Sequence, residues 1–214
     1  MTETRSYRQN CSLALGLDLI GERWTMLLVR ELARGPKRFG ELKDALPGLG
    51  ASMLAARLKR LQQAEVVDHI ELAGGVAGYG LADRGERLAV ALGELMLWGL
   101  ELQDVSEPGY PTRAAWLAMN MQAALRRGDQ PAPPGTYAFA IGDERFYMHV
   151  GEHDVTLRDG TPPHPPDASL TAPPRTFYAL ATGTPLDTTD TEIHGDRGRM
   201  QKLLAEATLP EFAG

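Results

Sequence analysis

The stretch GLGASMLAARLKRLQQAEVVDHI, residues 48–70, decides the fold. At about 3.6 residues per turn, Leu54, Leu58 and Leu61 fall on one stripe. The other face carries Ser52, Ala55, Ala56 and Lys59, and the first turn, Gly50-Ala51-Ser52, is small. This spacing predicts a helix over about 51–63 that buries its leucines and leaves a small, bare tip. Upstream, FGELKDALPG places Phe39, Leu42 and Leu46 on one stripe and stops at Pro47-Gly48. Two short helices around a tight Pro-Gly turn make a helix-turn-helix.

Working outward, Leu13, Leu17, Ile20, Trp24, Leu27, Leu28 and Leu32 keep helical spacing, with Gly16 and Gly21 as weak points where the segment divides into two helices. Arg34-Gly35-Pro36 ends it. After the decisive stretch, VVDHIEL and GYGLA read as strands joined by the Gly-rich connector AGGVAG, which adds a wing. Asp83 is expected to cap a long helix, RGERLAVALGELMLWGLELQ, apolar nearly all round. Such a helix needs cover on more than one face, and a second copy of the chain is the simplest cover.

Composition sets limits. The chain has 214 residues, 43% of them hydrophobic and 23% charged, as a globular protein of one or two domains has. No apolar run approaches the roughly 18 residues of a membrane span and no leader-like apolar segment opens the chain, so a cytoplasmic location without membrane contact is expected. The single cysteine, Cys11, permits no intrachain disulfide, and the five scattered histidines offer no metal-ligand spacing. Net charge is −6, yet residues 34–60 hold seven cations (Arg34, Lys37, Arg38, Lys43, Arg57, Lys59, Arg60) against two acids (Glu41, Asp44). One basic segment sits inside an acidic chain.

Residues from about Tyr7 to Glu101 resemble the HxlR-type family of bacterial winged-helix transcriptional regulators. The matching stretches are CSLALGLDLIGERWTMLLVREL, GPKRFGELKDALPGLG, LAARLKRLQQAEVV and YGLADRG. The resemblance implies a homodimer built from N- and C-terminal helices, with one helix per protomer in the major groove of double-stranded DNA at a pseudo-palindromic operator. The chain departs from the family pattern at Gly50, where Ser is usual, at Glu65, where Gly is usual, and at Ala82, where Thr is usual. Its wing carries no cation.

On this reading Ala51, Ser52 and Ala55 enter a groove about 12 Å wide, where small side chains allow close approach. Lys37, Arg38, Arg57, Lys59 and Arg60 lie at the rim as phosphate contacts, which position the protein and make affinity salt-dependent. For Arg57 an intramolecular salt bridge is an equal alternative. The dimer contact is assigned to Leu13, Leu88, Leu92, Leu95, Trp98 and Leu102. Cys11 precedes a helix, whose N-terminal dipole favours the thiolate. Thiol-based sensing occurs in some members of the resembled family, which makes Cys11 a redox candidate; a small residue buried at the dimer contact is the alternative.

Beyond a linker at 105–111, residues 112–214 read as a second domain. TRAAWLAMNMQAALRRG has helical spacing, and GTYAFAIGDERFYMHVGEHDVTLRDG alternates as three antiparallel strands. A fourth strand (DASLTA), a helix (PPRTFYALATG), a last strand (TDTEIHG) and a final helix capped by Asp196 follow. This order, with DASLT, TFYALATG and EIHGDRGRMQKLL, resembles the sterol carrier protein-like domain over about residues 111–208. That resemblance implies an antiparallel or mixed sheet covered by helices around an apolar tunnel. Trp116, Phe139, Met148, Phe177, Leu180, Met200 and Leu203 are the lining candidates, with simple core filling as the alternative.

The expected class is therefore α+β: a winged helix-turn-helix and dimerisation domain over 1–104, then a sterol carrier-like domain. No nucleophile elbow, phosphate loop, metal cluster or dinucleotide fingerprint occurs, so neither catalysis nor a cofactor is expected. The expected function is a homodimeric sequence-specific regulator, acting as a repressor, modulated by a small apolar ligand. The alternative is a lipid or apolar-ligand carrier whose N-terminal half is an interaction module.

Overall fold

In a computed structural model, residues 6–102, 112–128, 130–152 and 154–209 are described. The linker expected at 105–111, His153 and the last residues of the second domain lie outside them. Two compact units divide at Leu92/Gly93, inside a helix, rather than at residue 104.

The first unit opens with α1 (Ser12–Ile20) and α2 (Thr25–Ala33); of the two expected weak points the division falls at Gly21, and α1 runs through Gly16. The Gly21 N–H closes α1 on the Leu17 carbonyl at 2.8 Å, and a Cβ at Gly21 would stand 2.5 Å from that oxygen. Trp24 then takes a left-handed conformation, φ +80°, unusual for a bulky residue. Its ring rests on Gly48, where a Cβ would lie 3.4 Å away. The indole thus joins the α1–α2 break to the turn between α3 (Phe39–Ala45) and α4 (Ala51–Gln63).

Helix α3 starts on a cap that its own Glu41 provides, the carboxylate accepting from the Arg38 N–H at 2.6 Å. Helix α4 has the expected bounds, and Leu54, Leu58 and Leu61 are buried beside Leu28, Val29, Leu32, Leu42, Leu46 and Leu49 as the unit's core. Gly50 provides no side-chain cap. Glu65, just past the helix, sits at φ +57°.

Strands β1 (Val67–Leu72) and β2 (Val76–Leu81) pair antiparallel from Val67↔Leu81 to Leu72↔Val76. The second strand begins earlier than the sequence reading had it. Gly74 and Gly75, at φ +79° and +73°, turn the chain within three residues, so Val76 already pairs. Helix α5 (Asp83–Leu100) follows. Asp83 is its first residue rather than its cap. The preceding Ala82 instead anchors the junction, donating from its N–H to the Val66 carbonyl at 3.0 Å.

The second unit contains the C-terminal half of α5, then α6 (Ala114–Arg127), strands β3 (Gly135–Ile141), β4 (Glu144–Val150), β5 (Val155–Asp159), β6 (Ala168–Ala172) and β7 (Glu192–Gly195), with helices α7 (Pro174–Ala181) and α8 (Arg197–Glu206). The sheet order is β5-β4-β3-β6-β7; β3 and β6 run parallel and the other pairs antiparallel, so the sheet is mixed, as expected. Helix α6 lies on β4 and β5, and α8 on β6. Glu144 caps α6 from the sheet, accepting from the Ala114 N–H at 2.7 Å. Asp196 caps α8 as expected, accepting from the Arg199 N–H at 3.0 Å. No helix among the described residues is long and apolar enough to cross a membrane.

Candidate nucleic-acid interface

The tip of α4 is as bare as its sequence suggests. Ala51, Ser52, Met53, Ala55 and Ala56 are exposed, while the leucine stripe beneath them is fully buried. An anchored helix whose exposed front is small apart from Met53 can approach a groove closely. Lys59 and Arg38 are exposed on the same unit.

The remaining cations are placed differently from the sequence reading. Arg57 and Arg60 turn back onto Glu22, in the α1–α2 break. Arg57 pairs with Glu22 Oε2, and Arg60 donates to Glu22 Oε1 at 2.6 Å. A second Arg60 amino group donates to the Asp18 carbonyl. For Arg57 the salt-bridge alternative is the one seen. Burial, and then the neighbouring Arg60, lower its guanidinium pKa, though an arginine remains charged at neutral pH. The pairs are partly exposed, with Glu22 at 39% of its side-chain surface, so each contributes about 1 kcal/mol or less to stability.

Lys37 is a correction as well. It is 9% exposed, and its backbone forms two 2.9 Å hydrogen bonds with Tyr79 of β2, its N–H donating to the Tyr79 carbonyl and its carbonyl accepting from the Tyr79 N–H. The bridge ties the loop before α3 to the wing and draws the lysine inward. Arg34, counted in the basic run, is 1% exposed and paired with buried Glu31. The basic run in the sequence is therefore not a uniform basic surface.

Asp18 holds the segment before α1. Its carboxylate accepts from the Ser6 hydroxyl at 2.7 Å and the Tyr7 N–H at 2.9 Å, and these bonds lower its pKa. Tyr7, Leu17, Asp18, Glu22, Trp24, Met53 and Arg57 border an open groove of about 910 Å³ beside α4. Cys11 is exposed just before α1, and the nearby Ala14 and then Leu13 backbone N–H groups lower its thiol pKa.

Of the residues assigned to the dimer contact, Leu13, Leu95, Trp98 and Leu102 are exposed at 68%, 47%, 55% and 47%, and Leu88 is half-buried. Leu92 is buried within the chain, a correction that follows from helical phase, since its face of α5 is already covered. Val90 and, on α1, Leu15 are further exposed apolar residues, outside the set assigned to the dimer contact.

The lining candidates of the second unit are mostly core. Phe139, Met148, Phe177, Leu180, Met200 and Leu203 are buried. Phe139 stacks on Phe146 at 5.3 Å between ring centres, and Phe177 stands 5.8 Å from both. These three rings are in mutual contact within the unit's core. Trp116 is half-buried beneath the Arg113 guanidinium. Leu180 does border a cavity of about 410 Å³, with Gly183, Pro185, Leu186 and Leu204.

Glu22 was missed by the sequence reading. It is 38 positions from Arg60, and no periodicity or spacing links such residues.

Comparison with known proteins bears on the first unit. Residues 19–107 match the family model described as HxlR-like helix-turn-helix. YvaP of Bacillus subtilis, described as an HTH-type transcriptional regulator, is 39% identical over 92 residues, which cover 42% of this chain and 85% of that protein. YodB of the same organism, an HTH-type transcriptional regulator, is 36% identical over 94 residues, 43% of this chain and 81% of that protein. The solved reduced form of YodB is 33% identical, covering 47% of this chain and 99% of that one, with a TM-score of 0.39. Relatives of this identity, matched over most of their own length, show that the chain belongs to the HxlR-like helix-turn-helix family of transcriptional regulators.

Proposed function

We propose that the protein is a homodimeric repressor that reads a pseudo-palindromic operator in double-stranded DNA with α4. The observation that carries this reading is the exposed Ala51-Ser52-Ala55 tip on a helix anchored by buried Leu54, Leu58 and Leu61. Ser52 and methyl contacts read base edges, DNA shape adds specificity, and Lys59 and Arg38 hold phosphates. The exposed apolar residues of α1 and α5 are the surface a second copy covers, which sets the spacing of the two reading helices. The site of action is the cytoplasm, where the DNA is.

The second unit is the modulating part of this proposal. A small apolar ligand would enter at the cavity beside Leu180. It changes DNA affinity only if it binds the free and DNA-bound states unequally. A molecule co-purifying with the chain in native mass spectrometry supports this part; a ligand-free chain whose DNA affinity no apolar compound alters removes it.

Titration of labelled duplex from the region upstream of the protein's own gene, across a salt series, tests the main reading. Sequence preference together with a steep salt slope is expected. Lys59→Ala should weaken binding to every duplex alike and flatten the slope by about one unit. Loss confined to one sequence would move Lys59 from phosphate to base.

A further inference from the structure

Glu22 divides its two oxygens between the two arginines of the reading helix, one to Arg57 and one to Arg60. Arg60 is held further by the Asp18 carbonyl, while the Asp18 carboxylate is turned away to Ser6 and Tyr7. A two-oxygen anion taking two guanidinium groups is the arrangement a DNA phosphate would offer them. Both arginines remain partly open to solvent. Their side chains retain 20% and 25% of their surface, Glu22 retains 39%, and Glu22 and Arg57 border the open groove beside α4. A phosphate entering this groove would meet the same two guanidinium groups that Glu22 holds.

We propose that Glu22 is a specificity-determining residue: it occupies Arg57 and Arg60 as an internal substitute for phosphate, so that non-cognate DNA meets a reading helix with only part of its charge available. The proposal rests on the reading that α4 enters DNA. Non-specific affinity is almost wholly electrostatic and rises with every cation that can displace a condensed counterion. Specificity is a difference of affinities, so lowering the non-specific one improves discrimination as surely as raising the specific one. The exposed Ser52, Lys59 and Arg38 remain available for the operator. The structure thus couples the α1–α2 break, where Glu22 sits, to the charge that α4 presents.

The test compares wild type, Glu22→Gln, Arg57→Gln and the double variant, binding the upstream duplex and a shuffled duplex of equal length across a salt series. Glu22→Gln should tighten the shuffled duplex roughly three- to tenfold at moderate salt and steepen its slope by about one unit. The ratio of operator to shuffled affinity should fall accordingly. Adding Arg57→Gln should return the slope toward wild type. In the wild-type background Arg57→Gln should leave the shuffled-DNA slope nearly unchanged, because that cation is already neutralised. A full unit lost there overturns the proposal and stays readable even if the Glu22 variant folds poorly. A folded Glu22→Gln protein with an unaltered slope, or with weaker binding to both duplexes, also overturns it; the latter would make Glu22 a support for the arginines. If wild type prefers its operator and only the Glu22 expectations fail, this proposal alone is lost. If wild type binds neither duplex at the lowest salt, the groove reading fails and this proposal goes with it.

Discussion

Single residues show where the chain departs from its family and what that costs. Glu65 stands at φ +57°, in a position where the resembled family usually has Gly. A left-handed conformation costs an ordinary residue roughly 1–2 kcal/mol, and its exposed ion pair with Arg84 returns little of that. Glu65→Gly should therefore raise the stability of the first unit by about 1 kcal/mol, after the extra freedom of Gly in the unfolded chain is counted. A higher urea midpoint with unchanged slope is the expected readout, and a lower one would show that the side chain matters more than the backbone. Cys11 is the other informative position. The Ala14 and Leu13 backbone N–H groups favour its thiolate, so its pKa is lowered. Alkylation by iodoacetamide should accordingly reach half its limiting rate at a lower pH than a free thiol does. A midpoint at or above the free thiol's would mean those N–H groups do not face the sulfur in solution.

Among the elements, the junction of α4, β1 and α5 is tightly constrained. A Cβ at Gly85 would lie 2.1 Å from the Val66 carbonyl oxygen, a backbone atom that also accepts the Ala82 N–H. Gly85→Ala should destabilise the unit by about 2 kcal/mol, because the start of α5 has to shift away from the wing. Thermal denaturation checks this, and an unchanged midpoint would show that the close approach is not kept. Helix α5 presents Leu95 and Trp98 on an exposed face. If the proposed dimer forms through this face, Leu95→Glu should yield monomer in sedimentation experiments while leaving helix content unchanged. A persistent dimer would assign the contact to another surface, of which α1, with Leu13 and Leu15 exposed, is the next. Elements were the most legible level of this chain. The bounds of α4 and the division of α1 from α2 follow from local periods and from Gly21, and only short-range geometry is needed to read them. The early start of β2 and the role of Ala82 escaped because both depend on hydrogen bonds to partners distant in sequence: β2 on the β1 ladder, Ala82 on the Val66 carbonyl.

At the scale of the whole molecule, charge and core were the least legible. Seven cations in a short segment look like a basic face, yet the fold disperses them. Arg34 goes to Glu31, Lys37 folds inward beside Tyr79, and Arg57 and Arg60 go to Glu22. Only a folded chain brings the Glu22 carboxylate to α4. In the second unit, composition does not distinguish a tunnel wall from a filled core, since both use Phe, Leu and Met. The structure adds the mutual contacts of Phe139, Phe146 and Phe177, which link residues of three separate elements.

By itself, the sequence determined which segments are helices and strands, which stripe of α4 is anchored, and that its tip is small. Those properties follow from the side-chain period and from Gly and Pro, which act within a few residues. Only the tertiary structure decided which cations remain free, that Leu92 turns inward while Leu95 stays out, and that three phenylalanines meet in the second core. Each of those outcomes depends on which groups distant in the chain become neighbours, and burial and ion pairing respond to neighbours in space.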